Sequence, residues 1–265
     1  MIIIFYVVLF VLGACFGSFL CCQARRLHYN ASHKAKLQAS RSICLHCHHQ
    51  LKWYDNIPII SWLILRGKCR KCKTKFGIAE LLSELGTGLA LLALGTTFDF
   101  AAAGFLAWVS FCMLVVFTLS VIFLAIYDGL YGELPTKCLI ISIVLALVLL
   151  ALQYSVTLTT SPFTLDYLWR PLTSVGILGG LYLLLYLISK SKWVGDGDWL
   201  LATALAIVLA DPWPALITLF LANLLACLVM LPAMIISKTS KSHKIYFGPF
   251  LVVAFVITYA IIGLW

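Results

Sequence analysis

Eight apolar segments, parted by polar stretches, leave this chain few folds to choose from. They are Met1–Cys22, Ala79–Thr96, Ala101–Tyr127, Cys138–Tyr154, Leu172–Ile188, Trp199–Ala210, Pro214–Ile236 and Phe247–Leu264. A bilayer core takes about 20 apolar residues per helix, with a range of roughly 17–25. The sixth segment falls short. Its twelve residues span roughly 18 Å, against a hydrocarbon core of ~30 Å. It has to borrow residues from the preceding loop, sit in thinned lipid or be shielded by its neighbours. The reading is an all-α polytopic membrane protein with about eight transmembrane helices; seven plus a re-entrant piece is the alternative. Composition agrees. The chain is 63% apolar and 11% charged, against roughly 45–50% and about 25% in soluble domains. That excludes a soluble globular enzyme, a disordered chain and a secreted disulfide scaffold. Met1–Cys22 has no positive n-region and too long an apolar run for a signal peptide, so it is read as the first span.

The net charge of +9 would suggest a nucleic-acid partner in a soluble protein. Here it marks orientation instead. The loop Gln23–Ile78 carries twelve of the nineteen Lys and Arg residues. With eight alternating spans, Lys137, Lys190, Lys192, Lys238, Lys241 and Lys244 fall on the same side, and Arg170 alone on the other. The excess of bases makes the first side cytoplasmic and puts the N-terminus outside. No nucleic-acid partner is expected. The stretch Tyr154–Arg170 reads as an outside loop. The expected division is a first transmembrane helix (1–22), a cytoplasmic four-cysteine domain (23–78) and a transmembrane domain (79–265).

Four of the ten cysteines sit in register in that loop, as Cys44-x-x-Cys47 and Cys69-x-x-Cys72. Each pair can present two thiolates to one tetrahedral ion, and two such pairs match a structural zinc site. Two disulfides or free thiols are the alternatives, and a reducing cytoplasm argues against disulfides. Lys68, Arg70, Lys71 and Lys73 would offset the thiolate charge. His46, His48 and His49 lie close enough to compete as ligands. A closed four-ligand site leaves no position for substrate, so the ion would hold the fold. The other six cysteines read as small packing residues of the spans.

Acids near a membrane span are expensive and become functional candidates. Asp128 ends the third apolar segment in Tyr127-Asp128-Gly129, and Asp198 closes Gly195-Asp196-Gly197-Asp198 before the sixth. The topology puts both on the cytoplasmic side, where they can form a dyad that shares one proton. Gly195 and Gly197 would let a substrate backbone come close. Taken singly, each acid also fits a helix end, with Asp196 as N-cap and Asp198 as first-turn acid. Gly13-x-x-x-Gly17 in the first span reads as a close-packing motif.

Longer runs carry a resemblance. Gly17-Ser18-Phe19-Leu20 with Arg26, the run from Trp53 to Arg70, Glu80-Leu81-Leu82, Asp128 with Leu134-Pro135, and Gly195-Asp196-Gly197-Asp198 are together similar to the bacterial type IV prepilin peptidases. Departures from that pattern stand at Cys21, His28, Thr136, Leu200 and just before Glu80. The resemblance implies a multi-pass enzyme of the bacterial inner membrane. It would cleave the basic leader of prepilins or pseudopilins with Asp128 and Asp198, and then methylate the new N-terminal amine with S-adenosylmethionine. Glu80, Asp55 and Asn56 are the candidates for holding that cofactor. An interfacial acid facing the basic loop, and a turn before Pro58, are their plainer roles. The rival readings are a presenilin-like intramembrane aspartic protease and a transporter in which Asp128 and Asp198 relay protons.

Overall fold

The computed structural model describes residues 2–32, 44, 46–47, 50–75, 77–98, 104–158, 165–190, 194–237 and 246–262. His48, His49, Asp99, Lys192, Lys238, Lys241 and Lys244 lie outside the described residues. The described residues form helices and turns, and Lys68 and Lys75 form an isolated bridge. The chain divides into two compact units, Met1–Gly95 and Thr96–Trp265.

The first unit holds α1 (Ile2–Ser32), a short 3-10 turn (Trp53–Asn56), α2 (Ile60–Leu65) and α3 (Ala79–Thr96). α1 runs ten residues past the apolar stretch and carries Arg25 and Arg26 in helical register above it. The Gly13-x-x-x-Gly17 motif packs α1 on α3, as its spacing suggested. A Cβ on Gly13 would stand 2.7 Å from the Thr87 carbonyl oxygen, and one on Gly17 would press into the Ser83 carbonyl. Gly86, on the same α3, has nothing within 4 Å of its would-be Cβ. Gly17→Ala is therefore expected to destabilise the full chain by about 1–3 kcal/mol through overpacking, while Gly86→Ala changes little. Thermal unfolding in detergent reads the contrast, and equal midpoints for the two variants would refute this packing.

The second unit holds α4 (Phe105–Tyr131), α5 (Thr136–Leu158), α6 (Asp166–Ser189), α7 (Asp198–Leu209), α8 (Pro212–Ser237) and α9 (Gly248–Ile262). Among the described residues, six helices are long and apolar enough to cross a membrane, namely α1, α3, α4, α5, α6 and α8; α7 and α9 are shorter. The chain is thus a multi-pass membrane protein. The short α7 takes the third of its options. Leu201, Ala202 and the run from Ala204 to Leu209 are all buried, with α5, α6 and α9 packed around it. A helix that is apolar all round and covered by protein need not match the lipid thickness. Small residues allow the close approach, since a Cβ on Gly179 of α6 would collide with Thr203 of α7. The stretch Tyr154–Arg170, read from sequence as a loop, is shorter than that. α5 continues to Leu158 and α6 starts at Asp166.

Fully buried Leu114, Phe117, Leu124, Leu205, Phe255 and Tyr259 fill the core of this unit. Phe117 and Phe255 meet edge to face at 5.8 Å. α4 ends one turn beyond Asp128. Gly132 takes φ +68°, and its amide donates to the Asp128 carbonyl at 2.7 Å. A side chain there would strike the Tyr246 ring, so only glycine can close this helix.

Candidate functional site

Three constellations carry chemistry, two in the first unit and one in the second.

The four loop cysteines converge. None of the ten cysteines is in a disulfide, and the sulfurs of Cys44, Cys47, Cys69 and Cys72 lie within 4.8 Å of one another. Cys44 and Cys72 are 3.8 Å apart, and Cys47 and Cys69 are 4.0 Å apart. Four sulfurs bonded at about 2.3 Å to one tetrahedral ion stand roughly 3.8 Å from each other, so the set fits a metal ion. The local backbone shapes it: the Cys69 amide donates to the Thr74 carbonyl at 2.9 Å, and the Lys73 amide to the Cys69 carbonyl at 3.0 Å. The Thr74 hydroxyl, 3.3 Å from Cys72 Sγ, leads the contacts that hold the Cys72 thiol down to about 6. That favours the thiolate a metal needs. His46 is not part of the cluster.

Beside the cysteines lies a cleft of about 1050 Å³. α1 contributes Ser18 and Arg25, the 3-10 turn Asp55 and Asn56, and α3 Glu80 and Glu84. The three residues singled out as cofactor candidates thus share one cavity, on the scale of a cofactor site. Their situations differ. Both Asp55 oxygens are engaged, Oδ1 by Arg70 Nε at 2.9 Å and Oδ2 by the Lys52 amide at 3.3 Å. The Arg70 guanidinium also covers the Tyr54 ring at 5.2 Å. Asp55 therefore braces the loop. Glu80 pairs through Oε1 with Arg25, while its Oε2 is buried with no hydrogen-bond partner. An orphaned acceptor in a cleft wall suits a donor from a ligand.

Glu84 is a residue that sequence reasoning passed over. It is buried, and its Oε2 accepts the Ile59 amide at 2.7 Å. Ile59 stands at φ 62°, ψ −54°, and the Ile60 amide reaches back to the Pro58 carbonyl at 2.6 Å. This is a γ-turn with positive φ, strained for a β-branched residue. The spacing Glu80-x-x-x-Glu84 was the available signal, since it puts two acids on one face of a span.

In the second unit, Asp128 on the last turn of α4 and Asp198 at the start of α7 meet at the same end. Both are buried, and the Asp198 carboxylate lies near enough for its charge to act on Asp128. Each has one carboxylate oxygen held by a backbone amide. Gly195 donates to Asp198 Oδ2 at 3.0 Å, and Gly248 to Asp128 Oδ2 at 2.9 Å. Asp128 lies inside α4 and not beyond its end, because Gly129 does not break the helix and Gly132 does. The two loop glycines have distinct surroundings. A Cβ on Gly195 would stand 3.1 Å from Asp198 Oδ2, whereas one on Gly197 would meet Leu134 at 2.5 Å and Leu139 at 3.1 Å. Gly197 thus faces packed leucines, and Gly195 faces the carboxylate. Gly248 was not singled out from sequence. Its trace was a Gly-Pro step at the head of the last apolar helix.

Residues 11–98 match the Bacterial Peptidase A24 N-terminal domain. The prepilin leader peptidase/N-methyltransferase of Stutzerimonas stutzeri is 28% identical over 214 residues, 80% of this chain and 69% of that one. Its counterpart in Aeromonas hydrophila is 29% identical over 224 residues, covering 82% and 70%. The chain is similar to these enzymes over most of its length. The counterpart from Myxococcus xanthus is 44% identical over 90 residues, but the match covers only 34% of this chain and 26% of that relative. No solved structure matches this chain.

Proposed function

We propose that this chain is a membrane-bound aspartic endopeptidase that cleaves the basic leader from prepilins or pseudopilins, and then methylates the exposed N-terminal amine. The observation that carries the reading is the buried pair Asp128 and Asp198, each with one oxygen tied to a backbone amide and the other left for chemistry. Two adjoining carboxylates share one proton. The ionised one takes a proton from water as the water oxygen bonds to the scissile carbonyl carbon, and the protonated one donates to the carbonyl oxygen. Collapse breaks the C–N bond, and a proton passes to the leaving amine. The cytoplasmic side is supported by charge: Lys137 and Lys190 stand at the aspartate end of the second unit and Arg170 at the opposite end. Glu133 and Asp196 flank the pair in sequence and suit a basic leader.

The ion of the four-cysteine site is proposed to be zinc, closed and structural, with Arg70 and its neighbouring lysines balancing the thiolates. The cleft of the first unit is the proposed S-adenosylmethionine site, with Glu80 Oε2 and Asn56 as polar holders and Asp55 as their brace. Bound there, the cofactor would offer an electrophilic methyl group to the freed amine. First helix (1–22), zinc knuckle (23–78) and peptidase part (79–265) are the proposed functional divisions, with α3 also walling the cleft.

The test is purified full chain in detergent with a pilin-like peptide and labelled S-adenosylmethionine. Cleavage followed by label on the new N-terminus supports the reading; an intact peptide overturns it. Gly248→Ala sharpens the test. A Cβ there would stand 2.8 Å from Asp128 Oδ2, so the carboxylate must move. A misplacement of about 1 Å costs about 10²-fold in rate. Cleavage is expected to fall accordingly, with methylation of a pre-cleaved peptide unchanged.

A further inference from the structure

The loop between α1 and α3 carries an apolar face that the cleft does not use. α2 turns Ser61, Trp62 and Leu65 to the cleft. Ile60, Leu63 and Ile64 occupy the other side of its turns and are 55%, 58% and 70% exposed. Three aliphatic side chains in a row facing water would be a standing cost and an aggregation site.

The position of α2 along α3 says what faces it. Ile59, immediately before α2, is tied by its amide to Glu84. Glu84 lies five residues past the start of α3, roughly 7–8 Å along the axis of a span. In that same stretch of α3, Leu82 points outward at 64% exposure, as a lipid-facing residue does. The γ-turn at Ile59 and the Glu84 bond hold α2 at this depth and keep the loop from swinging clear. Immediately after α2 come Arg66, Lys68, Arg70, Lys71, Lys73 and Lys75. An apolar face bordered by bases is the pattern of a helix lying in the headgroup region of an anionic bilayer.

We propose that α2 is an interfacial anchor. Its Ile60, Leu63 and Ile64 face dips into the acyl boundary of the bilayer, with the following bases at the phosphates. The loop is then fixed to the membrane surface, and its cleft-facing side is held at the level where a membrane-anchored substrate emerges.

The test uses the full chain in nanodiscs of phosphatidylethanolamine and phosphatidylglycerol, with a photoreactive diazirine amino acid at Ile64 or, as control, at Ser61. Mass spectrometry reads the adducts. The expected result is phospholipid adducts from the Ile64 probe, about 10-fold above those from the Ser61 probe, as burial in acyl chains requires. Water adducts alone at Ile64, cross-links to another segment of the chain, or cross-links to a second copy would each overturn the proposal.

Discussion

Asp128→Asn and Asp198→Asn are each expected to lower leader cleavage by about 10²- to 10⁴-fold, the usual weight of a proton-transferring side chain. The amide keeps the shape of the carboxylate and cannot carry the proton. The double variant should be little worse than either single one, because the two groups act as a unit. Stability moves the other way. Two buried carboxylates repel, so neutralising one leaves the unfolding midpoint unchanged or raises it. Methylation of a pre-cleaved peptide should survive, since the proposed cofactor cleft is lined by residues of the first unit alone. A single variant that cleaves at the wild-type rate would remove the dyad from the mechanism.

Loss of the metal should be as severe for the other half. The wild-type chain is expected to hold about one zinc ion, as a closed four-thiolate site does, and Cys44→Ser to hold far less. Metal binding at such sites is worth about 10–16 kcal/mol in small peptides. The loop has little core to replace it, since no residue of the 3-10 turn or of α2 is buried. Chelation should therefore expose the bonds after Arg66, Lys68 and Arg70 to trypsin and abolish methyl transfer, because Asp55, Asn56 and Trp62 line the cleft from the same loop. Elemental analysis and limited proteolysis follow both. Zinc retained in full by Cys44→Ser, or unchanged trypsin resistance after chelation, would sink the structural role.

The cysteine cluster was legible because CxxC spacing is a local property and its sulfurs had only to meet once. The roles inside the cleft were less so. Asp55 looked like a cofactor ligand in the run Trp53–Arg70, yet its carboxylate is taken by Arg70 from the same run. Glu84 was not singled out from sequence, and only the fold shows that it fixes Ile59. Gly197 read as an opening for substrate and is packed against Leu134 and Leu139.

The sequence by itself determined the helical membrane class, the apolar segments, the four metal-ready thiols and the two glycine-flanked aspartates. Each of these is written in consecutive residues, as hydropathy, spacing or charge. The tertiary structure decided the rest. It buried the short α7 among α5, α6 and α9, brought the Gly248 amide to Asp128 across 120 residues, and tied Ile59, just before α2, to Glu84 in the second turn of α3. Burial and hydrogen bonding depend on which distant segments become neighbours, and no local pattern records that.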